Sequence, residues 1–204
     1  MEKKHEIERL TLEQIKHLLD AAQGQSLKTF LAVAITTGLR RGELLGLRWQ
    51  DLDLENEILH VRRMVSGIRE VGSTETARTI ALPTIVLQAL KEHQQDQEKE
   101  KPQWEKTWQD LGLVFPDALG RYPHPGRLWQ QYHVVFVAVG LPHLRFHDLR
   151  HSTAAFFVEM GVSISVIQAI LGFRQQHTLL GSLTPITLSM QKDAMKKWDA
   201  LLTK

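Results

Sequence analysis

Leu12, Ile15, Leu18 and Leu19 repeat at the spacing of one helical face, and Thr11 with Gln14 forms the reciprocal cap that opens such a helix. The pattern predicts a helix from Leu12 to about Gly24, then a more evenly apolar one over Leu27 to Thr37 that stops at Gly38. "RGELLGLRW" (41–49) gives another short helical segment and leaves Arg40 in the turn between them. The period then changes. Ile58 to Val65 and Ala77 to Leu82 are β-rich runs joined by a connection containing Gly and Ser, which predicts a small antiparallel hairpin.

Helical spacing returns at Pro83, a favoured first-turn residue, with Ile85, Val86, Leu87 and Leu90 ahead of "KEHQQDQEKEK", a tract that reads as a solvated helix end and loop. "LGLVFPDALGRYPHPG" predicts a short strand and a turn-rich loop, and Leu128 to Val139 a helix ended by Gly140. From Asp148, one face collects Leu149, Thr153, Phe156, Phe157 and Met160 before Gly161. Ser163 is placed to cap a short helix ending at Gly172, and Met190 to Leu202 form a last amphipathic helix with Met195, Trp198, Leu201 and Leu202. The fold class is therefore mainly α with a small antiparallel β-sheet, in one domain spanning residues 1–204.

Composition narrows the function only a little. No apolar run approaches the roughly 18 residues a membrane helix needs, so no membrane partner is expected. The absence of cysteine excludes disulfides and thiolate metal sites and fits a cytoplasmic protein, and the polar start "MEKKHEIERL" is unlike a signal peptide. A net charge of +2 is too small to argue for nucleic acid, so any polyanion site must be local.

One stretch concentrates such charge. "RFHDLRH" (145–151) holds Arg145, His147, Arg150 and His151, and positions 147, 150 and 151 can converge on one small target beside the core. Guanidinium forks bind phosphate oxygens bidentately and keep their charge at any pH. A purely structural alternative pairs Arg150 with Asp148 or Glu43 and lets His147 cap its helix.

"TTGLRRGELLGLRWQDLDL" (36–54) read together with "GLPHLRFHDLRHSTAAFF" (140–157) resembles the catalytic domain of the tyrosine recombinases, the phage integrase family. The resemblance runs from "LTLEQIKHLLDAA" through the hairpin and "LVFPD" to "MQKDAMKKWDALL". It implies double-stranded DNA as partner and neither metal nor other cofactor: a tyrosine attacks the scissile phosphate, a 3′-phosphotyrosyl link forms and a 5′-hydroxyl leaves. Arg40 corresponds to the first catalytic arginine, His147 to the histidine and Arg150 to the second arginine. The arginines would bind the DNA phosphate and stabilise transition-state charge, with His147 transferring a proton or donating a hydrogen bond. Glu43 is expected to orient an arginine, and His151 to pack or touch the DNA backbone.

Three family positions depart from the pattern. No lysine lies between Lys28 and Lys91, where the family's hairpin lysine belongs; the hairpin carries "VGSTETAR", and a nearby Arg69 or Arg78 is a poor proton donor. Phe173 stands where a His or Trp follows "LG", and gap-free alignment puts Leu183 at the tyrosine, with Pro185 after it. The chain's two tyrosines, Tyr122 and Tyr132, both precede the "HDLRH" helix. The expectation is a recombinase catalytic domain that binds DNA but does not cleave it, lacks the family's N-terminal core-binding domain, and meets other recombinase subunits through its C-terminal helix. The alternative is a non-catalytic DNA-binding or regulatory module acting on recombination sites. A helix-turn-helix reading of residues 148–171 fails because "SISVIQAILG" is too apolar to read bases.

Overall fold

The computed structural model describes residues 9–101, 107–173 and 186–203. Eight α-helices, a 3-10 turn (Trp49–Asp51) and three strands are found among them: α1 (Leu12–Ala21), α2 (Gln25–Thr37), α3 (Arg41–Leu45), β1 (Leu52–Asp53), β2 (Ile58–Ser66), β3 (Arg69–Ala81), α4 (Thr84–Glu100), α5 (Pro125–Ala138), α6 (Phe146–Glu159), α7 (Ile164–Leu171) and α8 (Leu188–Leu202). Thr11 and Gln14 cap α1 reciprocally, Thr11 Oγ1 accepting from the Gln14 amide at 3.2 Å and Gln14 Oε1 from the Thr11 amide at 2.8 Å.

The core is organised around α2. Its residues from Thr29 to Thr37 are buried almost all round, as expected of a helix apolar on every side. It packs against α4 on one flank and α6 on the other. The two buried threonines at its end return their hydroxyl protons to the carbonyls of Ala32 and Val33, and Thr153 of α6 donates to Ile35 O at 2.7 Å. α2 stops where Gly38 takes a left-handed conformation, φ 62°, which favours glycine; a Cβ there would also press on the Leu171 side chain, where the ends of α2 and α7 meet.

The sheet has the order β1-β2-β3, all antiparallel. β1 is a short addition to the expected hairpin, and β3 begins at Arg69, well before Ala77. The hairpin turn falls at Gly67 and Ile68, not within "VGSTETAR". That stretch is strand, and it is bulged: Val61 pairs with Arg78 but Arg63 with Ser73, so residues 74–77 of β3 lie opposite Arg62 alone. The expected strand near "LVFPD" is reduced to a single bridge between Leu113 and Arg48.

The polar tract after Leu90 is the other correction. α4 continues to Glu100, and His93 and Gln97 are buried on its inner face. His93 Nε2 donates to the Val114 carbonyl at 2.6 Å, and Gln97 accepts from the Trp49 indole at 2.6 Å. Each of these buried polar side chains thus has a partner from a distant segment, and the helix needs no apolar residue there. At the other end, α8 docks through Trp198, which is fully buried against Phe156 and Phe157. Asp199 of α8 accepts from the Thr84 and Ile85 amides at 2.9 Å each, capping α4 from outside. Ser163 sits at the N-cap of α7, but its side chain makes no capping bond.

Two stability measurements check this packing. Trp198→Ala is expected to lower unfolding free energy by about 3–5 kcal/mol in denaturant titration, as a large cavity opens under α8. Burial holds the His93 pKa below its ordinary 6.5. Its contribution is therefore complete above that value and is lost as the pH falls, because the unfolded chain takes up a proton first. The denaturation midpoint of the wild type should drop on acidification below 6.5 more steeply than that of His93→Gln.

Candidate functional site

The turn after α2 carries Arg40, the N-cap of α3, and the first turn of α3 carries Glu43. The Arg40 amide donates to Glu43 Oε2 at 2.9 Å and its guanidinium to Oε1 at 3.1 Å. This Arg-x-x-acid arrangement recurs at Arg48 with Asp51 and at Arg145 with Asp148, where an acid in the first helical turn accepts the N-cap amide. It explains why these arginines stand at helix entrances.

Glu43 is 2% exposed, so its charge needs compensation inside the protein. Arg78 of β3 supplies most of it. Its Nη1 and Nη2 meet Glu43 Oε1 and Oε2 at 3.0 Å each, a bidentate fork. Burial alone would push the Glu43 pKa up, but the Arg78 bonds and charge, with Arg40 behind them, bring it below the ordinary carboxylate value.

Arg150, on α6, is also buried, at 4% exposure. Its hydrogen bonds among the described residues go to backbone carbonyls: Nη1 donates to Gly38 O at 2.6 Å and Nη2 to Leu171 O. These belong to the C-terminal ends of α2 and α7, where helix carbonyls lack intrahelical partners and the dipole is negative. Two helix ends therefore hold a cation that forms no ion pair with a carboxylate among the described residues. Burial, followed by repulsion from Arg40 and Arg78, lowers its pKa to about 10, so it stays charged at neutral pH. The alternative in which Arg150 pairs with Asp148 or Glu43 does not occur; Asp148 instead takes Arg145 in a bidentate contact at 3.0 and 3.1 Å.

Arg40, Glu43 and Arg150 are thus brought together, with Arg78 as a member that the sequence did not single out. His147 is exposed one turn before Arg150 and does not cap its helix; that place is held by Arg145. Its ring meets His151 edge to face at 4.7 Å. Burial, then the nearby His151 and Arg150, depress the His147 pKa, leaving a neutral imidazole at neutral pH. Phe173 lies with its ring 4.9 Å from the Arg150 guanidinium carbon, offering a π face but no N–H donor. Leu183 lies outside the described residues. Tyr132 is a core residue against Phe136 and Phe146, and Tyr122 donates to Glu70 at 2.9 Å, so each is committed elsewhere. Among the described residues no group of three His, Asp or Glu side chains is placed to hold a metal, and no helix is long and apolar enough to cross a membrane.

Residues 8–180 match the model of the phage integrase family. A tyrosine recombinase XerC-like protein of Caldanaerobacter subterraneus subsp. tengcongensis is 32% identical over 185 residues, which cover 82% of this chain and 47% of the relative. The integrase of Staphylococcus phage L54a is 26% identical over 180 residues, 83% of this chain and 51% of its own. The chain spans about half the length of these relatives. Among solved structures, the XerA recombinase superposes with a TM-score of 0.68 at 19% identity, over 98% of this chain and 65% of that one. The Tn1549 transposon integrase in complex with circular intermediate DNA gives 0.66 at 21% identity, over 97% and 69%. Both structural likenesses are of fold, and the match of the family model over most of the sequence settles the relationship: the chain belongs to the phage integrase family.

Proposed function

We propose that this chain is a catalytic-type domain of a site-specific DNA recombinase that grips a backbone phosphate of double-stranded DNA in the cytoplasm, without cleaving it. The observation that carries this reading is the convergence of arginines at the site. Arg40 and Arg78 both meet the Glu43 carboxylate, and Arg150 is held beside them by the Gly38 and Leu171 carbonyls, so three guanidinium groups converge. A partly buried cluster of guanidinium groups of this kind matches a phosphate monoester or diester, whose oxygens accept guanidinium hydrogen bonds. The relationship to recombinases solved with DNA supports duplex DNA as the source of that phosphate.

In this reading Arg40 and Arg150 bind the non-bridging oxygens, Glu43 orients Arg40, His147 adds a hydrogen bond from the exposed side, and His151 steadies the His147 ring. The site works without metal or other cofactor. Strand cleavage would need a hydroxyl nucleophile in line with the phosphorus, and Tyr122 and Tyr132 are both engaged away from the site. Phe173 cannot donate to the phosphate as a His or Trp would. Contacts with other recombinase subunits use the exposed start of α8, where Leu188 and Met190 face outward.

Titration of labelled duplex DNA over a range of salt tests the grip. The plot of log affinity against log salt should become shallower in Arg40→Ala and in Arg150→Ala, by up to about 0.9 in either, the contribution of the one phosphate that both arginines bind. Unchanged slopes in both variants would rule the reading out. A nicked suicide duplex should trap no covalent protein–DNA adduct with the unmodified chain, and any adduct on a denaturing gel would refute the absence of cleavage. A phosphate beside His147 favours its protonated form, raising a pKa that is depressed in the free protein. Binding should therefore tighten as the pH is lowered from about 8 to about 6. His147→Gln should flatten that dependence.

A further inference from the structure

Arg78 is the residue through which the parts of the site meet. Its side chain is 8% exposed, and its Nε and both Nη atoms donate to acceptors within the protein. Its two Nη atoms span both oxygens of Glu43, and its Nε donates to the Ile170 carbonyl at 2.7 Å. The next carbonyl along, Leu171 O, is the one that holds Arg150. One guanidinium from the sheet thus fixes the carboxylate that aims Arg40 and the helix end that aims Arg150. Gly172 leaves room for it: a Cβ there would lie 2.8 Å from Arg78 Nη1, at a backbone φ of +69°.

We infer that Arg78 is a positioning residue for phosphate binding, setting Arg40 through the Glu43 carboxylate and steadying Arg150 through the end of α7. The inference rests on the phosphate-binding role proposed above. The geometry demands arginine specifically. A lysine ammonium carries its three donors on one nitrogen, without the separated planar fork that spans two carboxylate oxygens and a distant carbonyl at once. In the Arg78→Lys variant, Glu43 keeps a countercharge but loses its fixed orientation, and Arg40 follows it.

The experiment uses the full chain, a labelled DNA duplex, a series of salt concentrations, and thermal melting in parallel. Arg78→Lys, Arg40→Ala, Arg150→Ala and the double variant Arg40→Ala/Arg78→Lys are compared, all well below their melting midpoints. Arg78→Lys is expected to bind about tenfold more weakly, the loss of one charge-assisted contact. Its salt slope should be shallower by up to about 0.9, and the combined loss in the double variant should fall short of the sum of the two single losses, because part of the Arg78 effect passes through Arg40. A residue that only stabilises the fold would lower the melting midpoint and leave the slope of the folded protein unchanged. A wild-type slope for Arg78→Lys, with a reduced slope for Arg40→Ala, therefore overturns the inference while the phosphate reading stands. Wild-type slopes for Arg40→Ala and Arg150→Ala overturn both. If Arg78→Lys does not fold, Gly172→Ala displaces Arg78 without removing a charge, and a wild-type slope there is equally fatal.

Discussion

A carboxylate taken out of water must be neutralised where it lies, and in this protein Glu43 imposes that condition on the segments around it. Desolvation of an ion costs several kcal/mol, recovered only when hydrogen-bonding partners surround it in good geometry. Glu43 draws Arg78 from the sheet, and it fixes both the backbone and the side chain of Arg40 at the end of the core helix. Arg78 then reaches α7 through the Ile170 carbonyl. Without the acid, Arg40 and Arg78 would lose the carboxylate they share, while Arg150 would keep its helix-end carbonyls. With it, two of the three guanidinium groups have fixed directions and the third is left to the helix carbonyls.

The helix ends do complementary work. Left-handed glycines terminate both α2 and α7, and the carbonyls freed by termination become the acceptors for Arg150. Local backbone punctuation, tertiary packing and site electrostatics therefore use the same atoms. The contact of Gly38 with Leu171 that brings the two ends together is also what a side chain at position 38 would obstruct. Arg150 differs in this respect from Arg145, which has a carboxylate of its own in Asp148 and lies at the surface.

Much of this was readable along the chain because it depends on neighbours in sequence. The capping pair Thr11–Gln14, the stops at Gly38 and Gly172, the apolar face of α6 and the buried run of α2 are each specified within a few residues. The Arg-x-x-acid pattern was equally present in the sequence, and it is the signal that places Arg40 and Arg145 at helix entrances. Arg78 was visible only as a cation near the hairpin, since its partners Glu43 and Ile170 lie 35 and 92 positions away. The inner face of α4 was hidden for the same reason. His93 and Gln97 look solvated until the loop at Leu113 and Val114 is brought alongside to receive their hydrogen bonds. The bulge in β3 was obscured by a polar run with no alternation, which carries no register information.

The tether of Arg150 to Gly38 crosses 112 residues of chain. At synthesis rates of roughly 5–20 residues per second, the segment bearing Arg40 and Glu43 leaves the ribosome about 6 to 22 s before the cation that completes the pocket. For that interval the nascent protein holds the turn with Arg40 and Glu43 but not the guanidinium that the Gly38 carbonyl receives. The cluster of Arg40, Glu43 and Arg150 is therefore complete only when the segment bearing α6 has folded back onto the end of α2.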